Sequence, residues 1–95
     1  MRIAIFGLGY VGCISAACFA KEGHQVIGVD VYKEKVDIIN SGKSPIIEPG
    51  LEDSIRDAVK SGLLKATTDA QKAILNSDIS LICVGTPGAK NGSVI

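Results

Sequence analysis

Ninety-five residues carry ten basic and ten acidic side chains, a formal net charge of zero. Such a balance lacks the basic surplus with which nucleic-acid binders neutralise phosphates, so no nucleic-acid partner is expected. Hydrophobic residues make up 46% against 21% charged, too apolar for a disordered tail, yet every apolar stretch is broken within about ten residues, short of the roughly 20 a bilayer span needs.

Arg2 to Phe6 is a short apolar run without polar alternation, the pattern of a strand covered on both faces. It runs straight into Gly7-Leu8-Gly9 with no small-residue cleavage site, so it does not read as a signal peptide. Val11 to Glu22 is rich in alanine and reads as a helix, with Gly23 where a left-handed cap belongs. Val26 to Val29 is a second buried strand, ending in Asp30. The next helix sets Tyr32, Val36 and Ile39 on one face, with Gly42 past its end.

Lys43 to Gly50 contains two prolines and reads as a loop. A third helix places Leu51, Ile55, Ala58 and Val59 on one side and stops at Gly62; Leu63 to Thr67 then reads as a short strand. Thr68-Asp69-Ala70-Gln71 has capping-box spacing and opens a short helix to about Asn76. Ile79 to Val84 is a fourth strand, followed by Gly85-Thr86-Pro87. Strands alternating with helices imply a parallel sheet with right-handed crossovers, here a Rossmann-like, doubly wound α/β fold. Only four strands are counted where a complete dinucleotide domain has about six, so residues 1–95 read as the N-terminal part of such a domain. The three cysteines, Cys13, Cys18 and Cys83, each lie in an apolar run and read as reduced, buried thiols of a cytoplasmic protein.

Gly7-Leu8-Gly9-Tyr10-Val11-Gly12 is the sharpest signal. A bare G-x-G-x-x-G is weak, but this one follows a strand, opens a helix and is followed by an acid at the end of the next strand. Asp30 lies 18 residues past Gly12, near the expected spacing of about 20. Gly7 would permit the turn, Gly9 would let backbone approach a pyrophosphate, and Gly12 would let the helix pack closely. The N–H groups of Tyr10, Val11 and Gly12 would then face the anion with the helix dipole behind them. A carboxylate at Asp30 would accept from the adenosine ribose hydroxyls and repel a 2′-phosphate, which favours NAD over NADP; its alternative role is to cap the following helix.

With Gly28-Val29-Asp30, Lys35, Pro45-Ile46-Ile47-Glu48-Pro49-Gly50-Leu51 and Cys83-Val84-Gly85-Thr86-Pro87, the chain resembles the nucleotide-sugar 6-dehydrogenases over almost its whole length. Asn40 to Ile46 and Lys90-Asn91-Gly92 are more similar to the GDP-mannose branch of that family than to the UDP-glucose branch. The resemblance implies diphosphate contacts from the Tyr10 and Val11 backbone, ribose contacts from Asp30, and cofactor contacts from Lys35 and Thr86. It also implies two successive NAD-dependent oxidations of a sugar C6 alcohol to a carboxylate. A cysteine nucleophile in a region this chain lacks would hold the intermediate as a thiohemiacetal and then a thioester. The nucleotide sugar would bind to domains outside this chain, and the full-length protein would be a homo-oligomer.

No catalytic residue and no metal ligand is therefore expected within these 95 residues. Cys13 lies in the first turn after the glycine loop, where a helix dipole would lower its pKa, but it reads as a small core residue. His24 reads as a surface turn residue, and Glu48 as ordering its loop rather than touching a ligand. Two other readings share the first strand–helix–strand unit: a 6-phosphogluconate or hydroxyacyl-type dehydrogenase, and a non-enzymatic NAD-sensing module. The Glu48-Pro49-Gly50 loop disfavours the former and the four-strand count the latter.

Overall fold

The computed structural model describes residues 1–83. Eight elements follow in the order β1 (Arg2–Phe6), α1 (Tyr10–Lys21), β2 (Gln25–Val29), α2 (Lys33–Asn40), α3 (Leu51–Lys60), β3 (Leu64–Thr67), α4 (Ala70–Leu75) and β4 (Ile79–Ile82). The strands form one sheet in the order β3-β2-β1-β4, and all three pairings are parallel. This is the expected α/β, Rossmann-like arrangement. Gly23, Gly42 and Gly62 all have positive φ just beyond the helices they follow.

Register determines which side chains share a face, because alternate residues of a strand point to opposite sides. Ile3 pairs with Val26 and Ile79, Ile5 with Gly28 and Leu81, and Val26 with Leu64. These residues make the first face, and it packs with Cys13, Ala16, Ala17 and Ala20 of α1, Val36 and Ile39 of α2, and Leu51, Ile55 and Ala58 of α3. The small side chains of α1 let that helix lie close over the sheet. The second face carries Ala4, Phe6, Ile27 and Val29, with Ala73 of α4 against them.

Three local expectations are corrected. Tyr32 does not share the buried side of α2: it is the N-cap residue and 60% exposed, because the helix begins one residue later and the ring turns outward. Cys18 is exposed and Cys83 half-buried, so only Cys13 is a buried thiol. Cys18 follows Cys13 by five residues, well over a quarter turn around α1 from the packed side. The cap of α4 is Asp69 rather than Thr68; its carboxylate accepts from Lys72 N–H, while Thr67 Oγ1 accepts from Asp69 N–H. The last strand is described as Ile79–Ile82, and Val84, its expected end, lies outside the described residues.

β1 is the pivot of the topology. The chain steps outward from β1 to β2 and β3, then crosses the sheet to β4 on the other side of β1. The strand order thus reverses at β1, with β2 on one side and β4 on the other, and in open α/β sheets the crevice at such a switch point is where ligands bind. A separate hollow of about 530 Å3 runs along the second face, lined by Arg2, Gln25, Ile27, Lys65, Thr67 and Lys72 among others. It is a gap beside the short α4 rather than a strand-end crevice.

Candidate functional site

The glycine loop occupies the C-terminal end of β1, at the switch point. Gly7 takes φ +101°, which L side chains rarely adopt, and its N–H donates to Val29 O at 2.8 Å. The loop thereby continues the β1–β2 ladder one step beyond the strand and then turns into α1. Gly12 is required for a different reason: a Cβ there would stand 1.7 Å from Gly7 O. The first turn of α1 therefore presses directly on the carbonyl of the turn before it.

Gly9 is different again. It has φ −86° and ψ −153°, and an added Cβ would meet nothing within 4 Å. No neighbour in the described structure requires glycine at this position, so the bare backbone leaves room outside the protein surface. Gly9 is also the N-cap of α1, and no side chain caps the helix. The N–H groups of Tyr10, Val11 and Gly12 lie in the first turn, where an α-helix supplies no acceptor of its own. A twelve-residue helix thus presents uncapped donors and its positive dipole end beside open space.

Asp30 is half-buried at the end of β2 and faces this turn. Its Oδ2 accepts from Leu8 N–H at 2.8 Å, and its Oδ1 accepts from Tyr32 N–H at 3.0 Å. The second of these bonds goes to the N-cap residue of α2 rather than to a first-turn donor, and no side chain caps that helix, so the capping alternative is not realised; the carboxylate instead reaches back 22 residues to the glycine loop. An ionised carboxylate has about four acceptor positions, so two bonds leave capacity for ligand hydroxyls.

Leu8 sits at the centre of these contacts, and spacing rules did not single it out. Its side chain is fully buried and fills the space over Gly28, where a Cβ would come within 2.7 Å of Leu8 Cδ2. Its carbonyl accepts from the Cys13 thiol at 3.4 Å. Burial pushes the Cys13 thiol up to about 11; the Lys35 charge opposes that shift and Asp30 adds to it. The dipole-lowered thiol expected at this position is not found: burial raises it, and Cys13 is a packed hydrogen-bond donor.

Lys35 is half-buried on α2 with its Nζ 5.6 Å from the centroid of the Tyr32 ring. That contact holds a cation near the Asp30 end of the crevice. Tyr10 and Val11 are 56% and 58% exposed, so what they bring to the crevice is backbone. The Glu48 carboxylate beside the Tyr10 hydroxyl raises that phenol above its ordinary 10.0, chiefly through its negative charge. His24 lies in the turn before β2, its ring edge-on to Phe19 at 6.2 Å. Thr86 falls outside the described residues. The structure brings Gly7, Gly9, Tyr10, Val11, Gly12, Asp30 and Lys35 to one end of the sheet.

A family model described as the NAD binding domain of the UDP-glucose/GDP-mannose dehydrogenase family matches residues 1–94. The chain belongs to this dehydrogenase family. It is 58% identical to GDP-mannose 6-dehydrogenase of Pseudomonas aeruginosa over 94 residues, which is 99% of this chain and 22% of the relative. It is 42% identical to UDP-glucose 6-dehydrogenase of Rhizobium meliloti over 90 residues, 95% of this chain and 21% of that one. A solved ternary complex of the Pseudomonas aeruginosa GDP-mannose dehydrogenase superposes with a TM-score of 0.94 at 58% identity, covering all of this chain and 22% of the other. UDP-glucose dehydrogenase of Pyrobaculum islandicum follows at 0.89 and 41%, covering 97% and 21%. This member of the dehydrogenase family spans about a fifth of the length of the relatives it matches. Among its described residues no helix is long and apolar enough to cross a membrane.

Proposed function

We propose that this chain is the N-terminal part of the NAD-binding domain of a cytoplasmic, homo-oligomeric nucleotide-sugar 6-dehydrogenase. The preferred substrate is GDP-mannose, oxidised at C6 to the carboxylate with two NAD. The observation that carries the reading is the glycine loop: uncapped α1 donors, open space over Gly9 and the Asp30 carboxylate converge at the topological switch point. In support of a larger domain, β4 leaves Ile79 and Ile82 46% and 69% exposed, apolar surface on which further polypeptide would pack. The higher identity to GDP-mannose enzymes than to UDP-glucose enzymes favours the first sugar nucleotide.

The residues fit NAD. The N–H groups of Tyr10, Val11 and Gly12 would bind the diphosphate, with Gly9 giving it room and Gly7 and Gly12 setting the turn. Asp30 would orient the adenosine ribose, and its charge would disfavour a 2′-phosphate. Lys35 would sit on the adenosine side and Thr86 beyond β4. The chemistry NAD supplies when bound is hydride acceptance from a sugar carbon. The chain's own share is to bind and orient; the sugar pocket and the nucleophilic thiol belong to the rest of the protein.

The test is NADH formation by the full-length protein with GDP-mannose and with UDP-glucose. Two NADH per GDP-mannose, with little turnover of UDP-glucose or use of NADP, is the expected result. Faster turnover of UDP-glucose would transfer the assignment to that branch, and no NADH with either sugar would overturn the reading.

A further inference from the structure

The Asp30 carboxylate is engaged before any ligand arrives. Both of its oxygens accept backbone N–H groups, one from Leu8 in the glycine loop and one from Tyr32 at the start of α2. Two consecutive loop amides are thereby fixed to the end of β2, Gly7 N–H on Val29 O and Leu8 N–H on Asp30 Oδ2, both at 2.8 Å. The other two sides of Leu8 are held as well, its side chain against Gly28 and its carbonyl by the Cys13 thiol. Of these restraints, only the one from Asp30 comes from a charged group, and charge-assisted hydrogen bonds are roughly twice as strong as neutral ones.

We propose that Asp30 is a positioning residue for the diphosphate subsite, holding Leu8 so that the first-turn N–H groups of α1 point at one place. This role rests on the NAD reading above and is additional to the ribose contact. The mechanical link is short. Leu8 is followed by Gly9, whose carbonyl accepts the first α1 bond from Cys13 N–H at 2.9 Å, and then by the donors Tyr10, Val11 and Gly12. Glycine on both sides of Leu8 gives the backbone little stiffness of its own. Releasing Leu8 N–H lets the loop and the first helical turn move together. Neutralising position 30 to admit NADP would therefore loosen the diphosphate grip at the same time.

The experiment separates ribose from loop by using ADP and 2′,3′-dideoxy-ADP as probes of the full-length protein, with wild type, Asp30→Ala and Asp30→Asn. The dideoxy nucleotide has no ribose hydroxyl to offer, so a carboxylate that acts only on the ribose would not register in its affinity. Removing a negative charge close to an anion would on its own tighten binding. The expected result is that Asp30→Ala weakens dideoxy-ADP by about tenfold, the scale of one lost charge-assisted bond. Asp30→Asn, equally neutral but with one acceptor oxygen left, should fall between the two. In the ligand-free protein, hydrogen exchange at the Leu8 amide should quicken by about tenfold in Asp30→Ala, on the same bond scale.

Unchanged or tighter dideoxy-ADP binding together with wild-type Leu8 exchange would overturn the proposal while leaving the ribose role intact. Failure of the wild type to bind either nucleotide would instead remove the NAD reading on which it rests. If Asp30→Ala does not fold, Asp30→Asn and Asp30→Ser carry both measurements.

Discussion

Three glycines within six residues meet three different surroundings, and substitutions at two of them should part company. At Gly9 a side chain enters open space at an ordinary backbone conformation. Gly9→Val should leave the unfolding free energy in urea within about 1 kcal/mol of wild type, while NAD affinity, read by calorimetry, is lost because the side chain takes the diphosphate's place. At Gly12 the clash is with backbone, 1.7 Å from Gly7 O, and backbone cannot swing aside as a side-chain tip can. Gly12→Ala should cost about 3 kcal/mol or more of stability. Equal losses of stability in the two variants would show that Gly9 has a structural neighbour after all. The spacing of the motif made these roles legible, since each glycine answers a fixed requirement of a strand-to-helix turn. Leu8, Gly28 and Cys13 were not legible as a group. Their contacts join positions as many as 20 residues apart through side-chain fit, and no sequence period records that.

Elements were read correctly where periodicity and punctuation agreed, and shifted where two neighbouring residues could each do the same job. Thr68 and Asp69 are adjacent cap candidates; Asp69 wins because Thr67 Oγ1 already holds its N–H. The edge strand β3 shows a device that no pattern announced. Asn40, the last residue of α2, lays its amide along Ala66: Nδ2 donates to Ala66 O at 2.9 Å, and Oδ1 accepts from Ala66 N–H at 2.9 Å. One side chain thus supplies both bonds of a missing neighbouring strand, which blunts an edge that would otherwise template pairing with another chain. Asn40→Ala should cost about 1–3 kcal/mol, because it strands a part-buried donor and acceptor together, and should raise the tendency to associate through β3. Denaturant midpoints and light scattering read the two effects. Asn40→Asp, which keeps an acceptor but brings no amide donor, should recover only part of the loss; full recovery would mean that the Ala66 carbonyl needs no partner.

At the scale of the molecule, the described residues cover the two faces of the sheet unequally. Parallel sheets are ordinarily buried on both sides. Among the described residues, three helices pack on the first face, whereas the second has the six residues of α4 and only Ala4, Val29 and Ala73 buried. The glycine loop and α1 therefore draw their rigidity from the first face, and Ile5 lies at its centre with no exposed surface. Ile5→Ala should cost about 2–5 kcal/mol, transfer energy plus the cavity left beneath α1. Ile27 is half-buried on the second face, beside the hollow that α4 leaves open. Ile27→Ala should cost clearly less, about 1 kcal/mol, because only part of its surface is removed from water and the hollow already admits solvent. Urea unfolding of the 95-residue chain measures both. In a full-length dehydrogenase the ordering should narrow, since polypeptide packed over the second face would bury Ile27 further. A loss at Ile27 equal to that at Ile5 in the short chain would mean that α4 covers the second face as fully as the three helices cover the first.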